Sequence, residues 1–276
     1  MGDRHVKFDV RGLTFDADVD GPADGPVVLL LHGFPQHKGE WDLVTPALGE
    51  AGLRTVAFDQ RGYSPGARPA EVEAYRIGEC AADALAILDE LGAERAHIVG
   101  HDWGAAVAWY LAVRHPDRTA TLTALSVPHL AAFGRALRDD GDQRDRSSYM
   151  DFFRTPEAED VLLEDDGLRI RAMFLGCPEA RVDRYVTPML DRDRLTGGLN
   201  WYRAMTHGDF GRLGPVTVPT TFLWSNEDIA IGRTAAEACA RHVTGEYAFV
   251  ELDGVSHWIP DAVPERVAAE ILKRAA

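Results

Sequence analysis

Cysteine is scarce. Only Cys80, Cys177 and Cys239 occur in 276 residues. They lie far apart, form no Cys-x-x-Cys pair and join no Cys/His cluster of zinc spacing. A disulfide scaffold and a structural zinc site are therefore excluded, and three reduced, buried thiols are expected. Long apolar runs are also missing. The run Val27–Leu31 is far short of the roughly 20 residues that cross a bilayer. Positive charge is short as well, with 29 Lys and Arg against 44 Asp and Glu and a net charge of −15. Phosphate backbones and anionic membranes should repel such a chain, so neither nucleic acid nor membrane is an expected partner. No apolar stretch follows Met1–His5, so no signal peptide is expected, and Val6 spoils a myristoylation pattern. These absences point to a cytoplasmic location.

What is present is ordinary for a globular protein: 46% hydrophobic and 26% charged residues. The length suits one large α/β domain, or a domain carrying an insertion. Val6, Phe8 and Val10 alternate, Arg11-Gly12 can turn, and Leu13, Phe15, Ala17 and Val19 alternate again, which reads as a hairpin. Val27–Leu31 is apolar throughout, as in a parallel strand covered on both faces. A strand–helix rhythm follows. The expected helices are Glu40–Ala51, Tyr75–Leu91 and Trp103–Arg114; the expected strands are Arg54–Phe58, Ala96–Val99 and Thr121–Leu125. After Pro128 the rhythm stops. From His129 to about Phe210 no convincing strand occurs, and Arg138–Arg146 reads as a solvated charged face. Strands return at Thr220–Trp224 and Tyr247–Glu251, with helices near Thr234–Arg241 and Pro264–Arg274. The expected organisation is an α/β core over residues 1–129 and 211–276, with a helical cap over 130–210 inserted after the sixth strand.

The chemistry gathers at strand ends. Gly100-His101-Asp102-Trp103-Gly104 stands where a strand turns into a helix. A sharp Gly-x-nucleophile-x-Gly bend needs small flanks and holds its central side chain at the sheet edge. The plain alternative for Asp102 is an N-cap for the following helix. As a nucleophile, a carboxylate needs no activating base. It suits attack on a strained or activated sp³ carbon, giving an ester that a second step must hydrolyse. That step needs a general base and an acid to orient it. His257, just after the last strand, is the candidate base; a packed loop histidine is the plain alternative. Asp228, after the preceding strand, is the candidate acid, with Glu227 behind it. The slot after Leu125 holds Ser126 and Val127, so no acid competes there. Backbone N–H groups of Phe34, in His32-Gly33-Phe34-Pro35, and of Trp103 are expected to form the oxyanion hole. Side chains of Phe34, Pro35, Trp103 and Trp258 are expected to line the substrate pocket. His32 and His101 read as buried supporting histidines. His5, His37, His115, His207 and His242 read as surface residues, and His97 and His129 have no evident partner.

With these residues the chain resembles the epoxide hydrolases of the α/β-hydrolase fold, over nearly its whole length. The motifs are His32-Gly33-Phe34-Pro35, Asp59-Gln60-Arg61-Gly62-Tyr63, Gly100-His101-Asp102-Trp103-Gly104, Ser126-Val127-Pro128-His129 and Gly254-Val255-Ser256-His257-Trp258. The resemblance implies two cap tyrosines that donate hydrogen bonds to the epoxide oxygen. Ser148-Tyr149-Met150-Asp151-Phe152-Phe153 is similar to the surroundings of the first, and Leu199-Asn200-Trp201-Tyr202-Arg203 to those of the second. Whether Tyr149 or Tyr185 is the first of the pair stays open at this level, because an isolated helical tyrosine otherwise reads as packing. Haloalkane dehalogenases share the Asp nucleophile, but usually pair the following Trp with an Asn or a second Trp, where this chain has Phe34. Fluoroacetate dehalogenases match His32-Gly33-Phe34-Pro35-Gln36 but need Arg where Trp103 stands, and take their acid where Ser126 stands.

The expected activity is therefore conversion of an epoxide and water to a vicinal diol through an Asp102 ester, with no metal and no organic cofactor. A haloalkane or haloacid dehalogenase is the alternative, and a non-catalytic ligand-binding member of the fold is a more distant one. A homodimer is a possible assembly.

Overall fold

The computed structural model describes residues 4–206 and 213–275. Eight strands form one sheet: β1 (His5–Val10), β2 (Leu13–Asp20), β3 (Val27–Leu31), β4 (Arg54–Phe58), β5 (Ala96–His101), β6 (Thr119–Leu125), β7 (Thr220–Glu227) and β8 (Tyr247–Ser256). Their order is β1-β2-β4-β3-β5-β6-β7-β8. The opening hairpin is antiparallel and β2 runs antiparallel to β4; all later pairings are parallel. Every side chain of β3 is buried, as its unbroken apolar run requires between two helical layers.

The helices of the core are α1 (Thr45–Glu50), α2 (Ile77–Glu90) and α3 (Trp103–Arg114). The expected helix over 40–51 divides into a short 3-10 turn, Lys38–Trp41, and α1. Pro46 explains the division, because proline lacks the N–H of a helix interior and settles in the first turn. Between β6 and β7 the chain runs through α4 (Leu130–Asp139), α5 (Gly141–Arg146), α6 (Tyr149–Phe153), α7 (Ala158–Met173), α8 (Glu179–Met189) and α9 (Arg192–Ala204). The expected end of this insertion, residue 210, lies outside the described residues, as does His207. The chain closes with α10 (Arg233–Ala238), α11 (Ile259–Ala262) and α12 (Pro264–Ala275). Cys80, Cys177 and Cys239 are free and buried. Among the described residues no helix is long and apolar enough to cross a membrane.

Register decides where the chemistry meets. Leu31 pairs with Gly100, His101 with Leu125, and Glu227 with Ser256. The parallel strands therefore end on one edge. The next residues along the chain, from His32, Asp102, Ser126, Asp228 and His257, emerge side by side.

Candidate active site

The bend at Asp102 is tight. Asp102 has φ 51° and ψ −120°, a conformation that L-residues rarely adopt. Its glycine flanks are required by contact. A Cβ on Gly100 would lie 2.2 Å from the Gly104 carbonyl oxygen, and one on Gly104 would lie 1.9 Å from that of Leu31. Asp102 makes no side-chain cap to α3, so the N-cap reading does not hold. Its Oδ1 instead accepts the Phe34 N–H at 2.9 Å. Its Oδ2 stands 3.7 Å from His257 Nε2. Burial raises the Asp102 carboxyl above its ordinary value, while His257 and the Phe34 and Trp103 N–H groups oppose that rise.

On its other side, His257 Nδ1 lies 3.0 Å from both oxygens of Asp228. Asp228 Oδ1 also accepts the N–H groups of Ala230 and Ile231, at 2.8 and 3.0 Å. Its Oδ2 accepts the Ser126 hydroxyl at 2.7 Å. Burial alone would raise the Asp228 carboxyl, but His257, Ser126 and the Ala230 N–H outweigh it and hold it below its ordinary value. Burial pulls the His257 imidazole down, but Asp228 and Asp102 together carry it above its ordinary value. Glu227, the reserve candidate, is exposed.

Two cavities meet at Asp102. The larger, about 380 Å³, is lined by Phe34, Pro35, Phe153, Leu162, Met173 and Trp258 among others. The smaller, about 40 Å³, is lined by Trp103, Val127, Leu130 and Phe133 among others. Tyr149 and Tyr202 line both cavities. Their rings lie 6.2 Å apart, and Tyr202 packs edge-on against Phe34 and Trp103. Burial raises both phenols. Tyr185 is elsewhere: it is fully buried and donates its hydroxyl to Asp261 at 2.8 Å.

Several neighbours escaped the sequence reading. Ser126, given no role beyond a slot without an acid and a place in a family motif, has φ 66° and joins Asp228 to His257, its Oγ 3.0 Å from Nδ1. Arg146 lies outside the solvated role expected for Arg138–Arg146, because it donates to the Asp228 carbonyl at 2.6 Å. Gln143, buried in the same helix, bonds the Ala230 carbonyl and the Gly232 N–H. Both have partners more than 80 positions away, which no local pattern announces. His129 is buried, caps α4 through Nδ1, reaches the Gly214 carbonyl and stacks on His242. His97 faces the Thr121 hydroxyl at 2.9 Å. His37, His115 and His242 are half-buried; His5 is exposed. His32 and His101 are fully buried, as supporting residues should be.

A family model described as the α/β hydrolase fold matches residues 26–261. The chain belongs to the α/β-hydrolase-fold family. It is 34% identical to epoxide hydrolase A of Mycobacterium tuberculosis, over 96% of this chain and 95% of that protein. The crystal structure of epoxide hydrolase A from Mycobacterium thermoresistibile superposes with a TM-score of 0.83 at 30% identity, covering 98% and 97% of the two chains. A structure described among novel epoxide hydrolases of metagenomes from hot environments superposes with a TM-score of 0.88 at 28% identity, covering 100% and 99%. Sequence and structure together put the chain among the epoxide hydrolases of this fold.

Proposed function

We propose that this chain hydrolyses an epoxide to a vicinal diol in two steps, through an ester on Asp102. The observation that carries the proposal is the division of labour at that carboxylate. Oδ1 is held by the Phe34 N–H, and Oδ2 faces His257 beside two phenols. In the first step Oδ2 attacks a ring carbon. The C–O bond of the ring breaks, and the leaving alkoxide takes hydrogen bonds from Tyr149 and Tyr202 and a proton from one of them. Ring strain assists.

Alkylation then changes the electrostatics. While Asp102 is charged, it and Asp228 both favour protonated His257. Once Asp102 is a neutral ester, one of those two charges is gone. The His257 value falls, so the imidazole is more readily neutral, with Nε2 free, at the moment a base is needed. Asp228 holds Nδ1 protonated, which leaves the Nε2 lone pair to take a proton from water. The water attacks Cγ of Asp102, and the charge that develops on Oδ1 is met by the Phe34 and Trp103 N–H groups. The Cγ–Oδ2 bond breaks, the leaving diol oxygen takes the proton from His257, and the acid proton left on Asp102 passes to the phenolate, so that carboxylate, imidazole and phenol are all restored.

The helices from residue 130 act in this reading as a cap over the sheet edge, since they supply both tyrosines. The unequal cavities favour an epoxide with one large apolar substituent and one small one. Cytoplasmic placement and assembly as a homodimer extend the reading, and cell fractionation and light scattering test them. The test of the function is a panel of apolar epoxides and haloalkanes in which diol and halide are both measured. Diol from epoxides without halide release is expected. Halide release without diol would establish a dehalogenase instead.

A further inference from the structure

The proposed reaction leaves several buried acids unused, and among the described residues Glu40 is the one of these that no Lys or Arg pairs. Glu40 is completely buried, in the 3-10 turn Lys38–Trp41. A buried carboxyl is unusual unless it is paired. Its Oε2 lies 3.4 Å from His101 Nδ1, and no side chain bonds its Oε1. The charges around it are Asp261, Asp102 and Arg181. Arg181 is committed elsewhere, to Asp261 at 2.6 Å and to the Gly39 carbonyl at 2.7 Å. Among the described residues no other cation pairs with Glu40 to balance an ionised carboxylate.

The tautomer of His101 leads to the same place. His101 Nε2 lies 3.0 Å from the His257 carbonyl oxygen. A carbonyl can only accept, so Nε2 carries the proton. Burial holds the His101 imidazole down to about 3, so the ring is neutral and Nδ1 is bare. Whatever faces Nδ1 must donate, and a carboxyl donates only when protonated. Burial, with Asp261 and Asp102 nearby, does raise Glu40 well above its ordinary value, and the Gly33 N–H offsets this only in part.

We infer that Glu40 is a positioning residue: as a neutral carboxylic acid it donates to His101 Nδ1, and through His101 it fixes the main chain that carries His257. The inference rests on the reading of His257 as the base that hydrolyses the ester.

The experiment compares Glu40→Ala and Glu40→Gln in a rapid-quench assay of intact mass, which follows formation and decay of the ester. Glu40→Ala should slow ester decay about tenfold and alter alkylation less than about threefold. Glu40→Gln should return decay to within about threefold of wild type, because its amide N–H can replace the acid O–H. Equal slowing of both steps would reduce Glu40 to packing and overturn the inference. Decay as slow in Glu40→Gln as in Glu40→Ala would overturn it too, since an ionised carboxylate would then be required. Infrared spectroscopy at neutral pH supplies a reading that needs no turnover and no Glu40→Ala protein. A protonated-carboxyl C=O band should be present in wild type and lost in Glu40→Gln; no such loss overturns the inference. If no ester forms even in His257→Gln, the ester reading fails, while the infrared band still decides the protonation of Glu40.

Discussion

Asp228→Asn should stop the reaction half-way. The site dictates how the amide must sit. The Ala230 and Ile231 N–H groups both point at the Oδ1 position, so the amide oxygen must stay there. The NH₂ group then occupies the Oδ2 position, facing Ser126 Oγ and His257 Nδ1. An NH₂ donates and cannot accept the Nδ1 proton, so of the two oxygens that stood 3.0 Å from Nδ1 only the amide oxygen at Oδ1, already bonded to two N–H groups, is left to accept it. The NH₂ now competes for Nδ1 and favours the other tautomer, with its proton on Nε2 toward Asp102, which cannot take one from water. Loss of the negative charge also removes the main influence that raises His257 against burial. A wrong tautomer of this kind costs on the order of 10³ to 10⁴ in rate, about 4 to 5.5 kcal/mol of barrier. Alkylation needs no base and should fall less than about tenfold. Mixing Asp228→Asn protein with excess epoxide should therefore convert it to a form heavier by one substrate, stable over many wild-type turnovers. Peptide mapping should locate the added mass on Asp102. Diol formation near the wild-type rate, or slow turnover without accumulation of the adduct, would show that Asp228 does not orient His257 as the base.

Other perturbations divide along the same lines. Tyr149→Phe and Tyr202→Phe should each lower the alkylation rate by about 10- to 100-fold and leave ester decay nearly unchanged, as single-turnover mass analysis would record. Gly104→Ala should cost about 3 kcal/mol or more, measured as a fall in Tm, because its Cβ would meet the Leu31 carbonyl at 1.9 Å. Gly141→Ala is the tolerated control, since its Cβ meets only an arginine nitrogen at 3.7 Å. Glu40 also bears on stability. Its folded value lies above the unfolded one, so between them the native state holds a proton that the unfolded state releases. Stability must then fall as pH rises through that window, by up to about 1.4 kcal/mol per pH unit. Glu40→Gln should remove that contribution in urea unfolding across pH, with Asp261, Asp102 and Arg181 unchanged around it.

The sheet and the bend were legible because they depend on local pattern. The apolar run at β3 marks a strand covered on both faces, and Gly100 and Gly104 mark a turn with no room for a Cβ. Asp228 and His257 were legible for a related reason, since each follows a strand and parallel strands end on one edge. Other features depend on contacts that sequence spacing hides. Tyr149 and Tyr185 are both helical tyrosines; only packing gives one to the cavities and the other to Asp261. Ser126 meets Asp228 across 102 positions, and Glu40 meets His101 across 61. Helix α1 starts late because Pro46 settles in its first turn and the preceding residues form a 3-10 turn, which divides the helix expected over residues 40–51.

The most direct measurement is one turnover, with enzyme in excess, in water carrying heavy oxygen. If Asp102 is alkylated, the first diol takes its new oxygen from Asp102 Oδ2, so the diol should be unlabelled and Asp102 should gain one heavy oxygen. A labelled first diol with an unlabelled Asp102 would mean that water attacks the ring directly, and no covalent role would remain for this carboxylate.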